Sequence, residues 1–597
     1  MSSSTILSEA PATTKYTLSP SSRPQKRSLR EAGKKFLPLF ATEKNSFYGA
    51  VAAIVYSSLA ALVAPIVIVR AIDTDIRGKN MHGLLISALI VLAIYMSGAV
   101  ASYIQVITMG SVGRRALYHM RNALFLKLQD LPVAFFNQNK AGDLISRLNN
   151  DTDKLNQFVA QSFMQFVGSV FLITGAGIFV LSLNLKLGIA ALLPALGVVL
   201  LTRGSSGWIK RMNLGSLQAL GGMSSEVQEN LNNFKVIVAF NRVDYFRWKF
   251  NSANEKNYAA STRAGFANNI FMPLYGLASH MAQLLVVAYG IWLIQRGQVT
   301  VGLLIGFLLY VNNFYGPMRQ LAAVWASFQM AMAALDRISE VMSLESNLPV
   351  IKAAAPESES VISFRQVSFH YPDGKEVLRD ISFEMERGKA YALVGPTGGG
   401  KTTTANLMAR LYDATRGSVL LDGRDIRSYT PEERARKIGF ILQDPFLFSG
   451  TVRDNIIYGN ESYRDYSSAQ LGEVLNEASL GTLVSRFPDG LDTAVTTAGN
   501  SISLGQKQLI AFMRAVLRKP ELLILDEATA NIDTVTEELL QEILNKLPSS
   551  TTRVIIAHRL NTISNVDQIY FVNSGEITLA GSMEHAVDML MHEKRAS

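Results

Sequence analysis

Five stretches of this chain run without a formal charge for longer than a water-facing helix tolerates. They are residues 47–69, 84–113, 155–185, 264–295 and 297–318. Each exceeds the ~20 residues that cross a hydrocarbon layer as a helix. A helix on the surface of a soluble core interrupts its apolar stripe with charges every turn, and these runs do not. The first half of the chain is therefore expected to sit in a bilayer. Residues 187–202 form a shorter apolar run of 16 residues. A span is nevertheless required there, because the basic connections before and after this region must lie on one side of the membrane. Six spans are expected, with the fourth the least clearly marked.

Lysine and arginine set the orientation. The connection after the second span carries Arg114, Arg115, Arg121, Lys127, Lys140, Arg147 and Lys154, and the one after the fourth carries nine basic residues from Arg203 to Arg263. The short loops at 184–186 and 295–300 carry one each. The positive-inside bias places both termini and both long connections in the cytoplasm, which makes the chain a multi-pass protein of the cytoplasmic membrane. The net charge of +9 then reads as a topology signal and an attraction to anionic lipid, with no nucleic-acid partner needed. There is no cysteine, which excludes disulfides, thiolate metal sites and cysteine nucleophiles, and the seven histidines show no ligand spacing.

Composition divides the rest. Residues 1–27, rich in Ser, Thr and Pro, read as a disordered tail. The tail does not resemble a cleaved signal, since the first apolar run begins too far in and is long enough to remain in the membrane. Within 28–46, Leu29, Gly33, Phe36, Leu37 and Phe40 recur at helical spacing opposite Arg30, Lys34 and Lys35, the pattern of a helix lying on the membrane surface. The membrane domain is expected over 47–342, a linker over 343–359 and a soluble domain over 360–597. In that last part short β-rich runs at 361–364, 391–394, 438–442, 522–525, 553–556 and 568–572 alternate with helical segments, the pattern of an α/β domain.

The chemistry lies in that domain. Gly395, Pro396, Thr397, Gly398, Gly399, Gly400, Lys401 and Thr402 follow the apolar run 391–394 and precede a helical segment opening with Thr403. Strand, glycine-rich turn and helix start together form a phosphate cradle: backbone N–H groups face one anion, Lys401 adds a point charge and the Thr402 hydroxyl can ligate Mg²⁺. A nucleoside triphosphate with Mg²⁺ is the ligand this implies; the resemblance given below makes it ATP. A second motif, 522–527, is a buried strand that ends in Asp526 and Glu527. Asp526 can hold Mg²⁺ through water, and Glu527 can polarise the attacking water as general base.

The order of these motifs resembles that of an ABC transporter ATPase domain and, with six spans before it, of a half-size ABC exporter; the likeness covers about residues 30 to 590. It implies an α-helical six-span transmembrane domain of the ABC exporter type followed by an α/β P-loop ABC ATPase domain. On this resemblance Tyr371 matches the aromatic residue that stacks on adenine, and Gln443 the glutamine that meets Mg²⁺ and the attacking water. His558 matches the histidine at the γ-phosphate, and Asp533 the aspartate of the loop crossing the dimer interface. The family's Leu-Ser-Gly-Gly-Gln signature is replaced here by Ile502-Ser503-Leu504-Gly505-Gln506. Ser503, Gly505 and Gln506 remain able to meet a γ-phosphate, while Leu504 stands where glycine normally permits close approach. The segments 135–152 and 229–242 resemble the two intracellular connections whose short crossing helices dock on the ATPase domains.

In such exporters the signature of one subunit completes the nucleotide site of the other, so a second half-transporter is the implied partner. An intact Glu527 and His558 beside an altered signature resembles one half of a heterodimer with one degenerate ATP site; a homodimer is the alternative. ATP-driven efflux of hydrophobic or amphipathic compounds is the first reading of function. A lipid or peptide exporter on the same scaffold is the second, and an ATP-gated channel or regulatory subunit a third from a different class. His280, Gln283, Asn312, Asn313 and Gln320, close in sequence to Phe271, Met272, Tyr275, Met281, Tyr310 and Phe314, either line a substrate cavity or pack helices together.

Overall fold

The computed structural model describes residues 16–18, 43–346, 348–352, 358–372, 374–496, 502–526, 534–556, 566–581 and 584–589. Two compact units emerge: one comprises the described residues of Met1–Leu18 with Gln129–Ala141 and Ser343–Ser597, the other those of Ser19–Leu128 with Gly142–Met342. The surface helix expected over 28–46 lies outside the described residues up to position 42. Tyr16, Thr17 and Leu18 correct part of the expectation for 1–27: they form an extended segment in which Tyr16 and Leu18 are buried. Composition signalled disorder there because Ser, Thr and Pro dominate, but one aromatic and one leucine suffice to anchor three residues.

The helices used below are, in chain order, α1 (Lys44–Arg70), α2 (Met81–Gln129), the short α3 (Val133–Gln138), α4 (Phe163–Leu183), α5 (Leu185–Asn232), the short α6 (Phe234–Ala239), α7 (Val243–Asn269), α8 (Phe271–Gln295) and α9 (Val301–Met342), with two further six-residue helices, Ala141–Ser146 and Thr152–Gln157, between α3 and α4. Among the described residues six helical stretches are long and apolar enough to cross a membrane, and the doubtful fourth belongs to the 48-residue α5. Its apolar half is short because the helix continues far past the hydrocarbon, where charged residues become acceptable.

Inside the bundle, Ala176, Leu187, Ala282, Phe307 and Tyr310 form a common core. Most of the apolar surface of α2 points outward, as suits a lipid solvent. Pro65 in α1 cannot bond the Ala61 carbonyl four residues earlier. Asn313 of α9 donates to that carbonyl at 3.1 Å, and the Tyr310 hydroxyl donates to the next one, of Leu62, at 2.7 Å. In a membrane a carbonyl released by proline must find such a protein partner. Below the spans, buried Arg147 donates to Asp143 at 2.9 Å, to Glu340 at 2.7 Å and to the Arg337 carbonyl at 2.6 Å. Arg337 pairs in turn with Asp143 and Asp151. A buried arginine is tolerable only with its donors matched in this way. The cluster joins the segment after α3 to the end of α9.

The second half opens on β1 (Ser360–His370), β2 (Glu376–Glu386), β4 (Arg416–Leu421) and β5 (Arg424–Asp425), an antiparallel sheet in the order β2-β1-β4-β5. The second sheet contains β3 (Ala390–Val394), β6 (Ile438–Ile441), β9 (Leu522–Asp526), β10 (Thr552–Ile556), β11 (Gln568–Asn573) and β12 (Glu576–Leu579), ordered β12-β11-β3-β10-β9-β6. All its neighbours are parallel except β11 and β12. The small strands β7 (Gly450–Thr451) and β8 (Ala494–Val495) pair with each other beside a helical cluster that includes α11 (Leu504–Val516), which follows α10 (Lys401–Met408). β3 and β9 are buried along their whole length, and β9 is apolar up to Asp526, because parallel strands are covered on both faces.

Candidate nucleotide-binding site

Strands β3, β10 and β9 lie side by side and end level: Ile556 pairs with both Leu393 and Asp526, and Ile441 of β6 pairs with Leu525. Ligands of open parallel sheets bind beyond these carboxyl ends. The turn 395–400, Asp526 and Gln443 all follow from this one edge. His558 comes two residues after β10, but it lies outside the described residues, as do Glu527 and Asp533.

The turn requires glycine where it is found. Gly395 has φ of 147° and Gly400 of 117°, and a Cβ on Gly395 would come within 2.0 Å of the Val572 carbonyl oxygen. Gly400 caps α10 in the left-handed conformation, which turns the chain abruptly into the helix. Lys401 is buried and donates to the carbonyls of Gly395 at 2.9 Å and Pro396 at 3.0 Å, so its ammonium is held against the loop. Thr402 Oγ1 lies 3.4 Å from Asp526 Oδ1. A hydroxyl and a carboxylate at this separation are hard oxygen donors of the kind Mg²⁺ takes alongside phosphate oxygens. The residues present therefore fit that ion, with Thr402 and Asp526 as its holders and Gln443 exposed at the same sheet edge.

Tyr371 and Thr403 are brought together, their hydroxyl oxygens 3.2 Å apart. The Tyr371 ring stands edge-on to Phe369 and to Tyr412, the latter at 5.2 Å and 90°. Tyr412 was not singled out in the sequence, and no spacing signal marks it. Its hydroxyl accepts from Asn137 of α3 at 2.7 Å. Burial pushes the Tyr412 hydroxyl above its ordinary range, with the Asn137 hydrogen bond working against that and Tyr371 adding to it. A continuous set of contacts thus runs from the turn helix through Tyr371 and Tyr412 to α3.

Ser503 is the N-cap of α11: its oxygen accepts from Gln506 N–H at 3.2 Å, and Gln506 Oε1 accepts from Ser503 N–H at 3.0 Å. This reciprocal box was legible as Ser-x-x-Gln before an apolar run. Because the Ser503 oxygen accepts there, its own proton remains for an anion at the helix start. Gln506 also donates to the Arg486 carbonyl at 2.9 Å. Ile502 is buried, whereas Leu504 is 41% exposed at the first helical position.

Of the polar residues in the spans, Asn313 packs helices at the Pro65 kink, while Gln283 and Asn312 hydrogen-bond each other at 3.0 Å on an accessible face. Tyr275 and Tyr310 are buried in the core of the bundle.

A phosphate-binding sheet edge and six spans in one polypeptide define an ATP-hydrolysing membrane transporter. The chain belongs to the ABC transporter family: residues 47–318 match the ABC transporter transmembrane region and residues 378–530 the family's ABC transporter domain. It is 35% identical over 544 residues to the uncharacterized ABC transporter ATP-binding protein YfiC of Bacillus subtilis, covering 89% of this chain and 88% of that one. It is 31% identical to a multidrug resistance ABC transporter ATP-binding and permease protein of Lactococcus lactis, over 83% of this chain and 84% of that protein. A fatty acid ABC transporter ATP-binding/permease protein of Mycobacterium bovis is also 31% identical, over 82% and 77%. The structure of a bacterial Atm1-family ABC exporter with ATP bound is similar at a TM-score of 0.76 and 25% identity, covering 92% of this chain and 96% of that chain. The expected fold, the half-size exporter organisation and ATP as the nucleotide therefore hold.

Proposed function

We propose that this chain is one half of a heterodimeric exporter that moves hydrophobic or amphipathic compounds out across the cytoplasmic membrane. Leu504 carries the asymmetric part of this reading. A half-exposed branched side chain stands at the helix start that a γ-phosphate must approach closely, so the site this signature covers would hold ATP but turn it over poorly. Lys401, Thr402, Asp526 and Glu527 would act with the unaltered signature of a second subunit. There Lys401 and the backbone of 395–400 bind phosphate, Tyr371 orients adenine, and Glu527 takes the proton from the attacking water, with Gln443 and His558 aligning the γ-phosphate. Mg²⁺, when bound at Thr402 and Asp526, neutralises charge that builds up between the phosphates.

The need for a second subunit is supported by α6. Phe234, Val236 and Val238 are 58%, 56% and 52% exposed and the adjoining Phe240 75%, while beside Gln443 the side chains of Leu442, Phe446 and Phe448 are exposed too. Apolar surfaces of this size belong under a partner. We assign α6 to an ATPase domain of the partner subunit, and the apolar rim at Gln443 to the equivalent helix from that subunit. The basic residues of the long connections support an orientation with the ATPase half in the cytoplasm. The uncharged pair Gln283 and Asn312 favours an uncharged or weakly polar cargo over a strongly cationic one.

The names of the relatives support drugs and, as a second reading, fatty acids or other lipids. The test is ATPase activity in lipid vesicles, with this chain alone and with a candidate second half, across drugs, lipids and peptides. Strong transport-coupled hydrolysis by the chain alone would overturn the heterodimer.

A further inference from the structure

Residues 16–18 cross the end of α3 in a manner that goes beyond incidental packing. The Tyr16 N–H donates to Gln138 Oε1 at 2.7 Å. Asn139 then grips the next peptide groups with both ends of its amide: Nδ2 donates to the Tyr16 carbonyl at 2.9 Å, and Oδ1 accepts from Leu18 N–H at 2.9 Å. A further bond from Nδ2 to the Phe135 carbonyl at 2.8 Å fixes the orientation of that amide. Asn139 thereby presents a donor and an acceptor as the edge of a strand does, and an extended peptide is what such an edge recognises.

The side chains follow the same logic. Tyr16 is 1% exposed, stands edge-on to Phe135 with centroids 6.2 Å apart, and donates through its hydroxyl to the Glu345 carbonyl at 3.0 Å. Leu18 is buried and Thr17 between them is exposed. Alternation of in, out, in is the signature of an extended segment read on one face. The Tyr16 slot has a ring for its wall and a carbonyl for its floor, which fits a phenol better than any other side chain.

We propose that Phe135, Gln138, Asn139 and the Glu345 carbonyl form a peptide-docking site selective for an extended Tyr-x-Leu segment, and that its occupant is the chain's own residues 16–18, acting as a strap on α3. The strap holds the same six-residue helix whose Asn137 bonds Tyr412, next to the candidate adenine-stacking residue Tyr371. Seating the strap fixes α3 relative to the residues after α9 and so stiffens the route by which nucleotide is felt. Only this consequence for coupling rests on the transport reading; the docking site does not.

The chain has no native cysteine, which makes paired substitution a clean reporter. Full-length protein in lipid nanodiscs carrying Thr17→Cys with Lys140→Cys should be joined intramolecularly by a flexible bismaleimide, since residues 16 and 18 both bond Asn139 and both Thr17 and Lys140 are exposed. In a second measurement, a fluorescent synthetic peptide of residues 11–23 is added to the full-length Tyr16→Ala variant and to the unaltered protein. The peptide should bind the variant and be excluded from the unaltered protein, and a peptide with the same Tyr16→Ala change should bind at least roughly tenfold more weakly, as loss of a buried aromatic anchor requires. Absence of the cross-link overturns the strap. So does peptide binding that ignores Tyr16, or none at all in a variant that still binds ATP as the unaltered protein does. Neither readout depends on transport or hydrolysis, so a failure here is separable from a failure of the exporter reading.

Discussion

The two short crossing helices, α3 and α6, have six residues each and opposite surroundings. In α3 Ala134 and Phe135 are buried, Asn137 is bonded to Tyr412 and the strap covers one end. In α6 only Ile237 is buried, and the apolar residues at 234, 236 and 238 are spread round the helix with only Lys235 polar among them. A helix apolar on all sides is a helix made to be enclosed. Leaving it in water forfeits about 25 cal/mol for each Å² of apolar surface that could be covered. One helix is therefore completed within its own unit, and the other, on our proposal, by a second chain.

The largest effect tests whether the two helices answer nucleotide differently. Glu527→Gln should lower turnover by ~10²- to 10⁴-fold while leaving ATP binding intact, the usual worth of a general base. With ATP trapped in this variant and the second subunit present, amide exchange should slow across 234–240 and change little across 133–138. Equal slowing of both helices would break the comparison, and unimpaired hydrolysis would remove Glu527 from the base role.

Next in size is the paired change Phe234→Ser and Phe240→Ser. Enclosing each phenylalanine is worth ~1.5–3 kcal/mol and the pair ~3–6 kcal/mol, so substrate-stimulated ATPase should fall by at least ~100-fold with little loss of monomer stability. Light scattering and ATPase assays read the two quantities. A variant that couples normally would show that α6 is not enclosed by a partner.

Much of this contrast was hidden in the sequence, for identifiable reasons. The spans and the phosphate turn were legible because each depends on a local composition: absence of charge over a membrane's width, and glycine where φ is positive. The start of α11 entered through the resemblance, although Ser503 and Gln506 also carry the capping-box pattern that marks a helix start. Tyr412 and Asn137 were not, because their bond joins positions 275 apart and neither residue type is rare in an ordinary core. Asn313 was ambiguous for another reason. A polar residue in a span satisfies either cargo or a backbone carbonyl, and only the position of Pro65 on another helix decides which. Tyr16 was concealed by neighbours whose composition argued for disorder. The phosphate-site residues Glu527, Asp533 and His558 keep the roles that the resemblance implies for them as proposals.

The smallest effect lies on the α3 side, at the bond between Asn137 and Tyr412. Tyr412→Phe retains the ring beside Tyr371 and removes the acceptor of Asn137, while Asn137→Ala removes the donor. Each should change ATP affinity or the ratio of transport to hydrolysis by about fivefold, the equivalent of a net hydrogen bond worth ~1 kcal/mol. The double variant should be little worse than either single one, since both delete the same interaction. Burial keeps the Tyr412 phenol protonated beyond the ordinary tyrosine range, so the effect should be flat between about pH 6 and pH 9. A strictly additive double variant would mean that the two residues act separately. In that case α3 would be held by its apolar side and the strap alone, and its contact with the nucleotide-side aromatics would carry no signal.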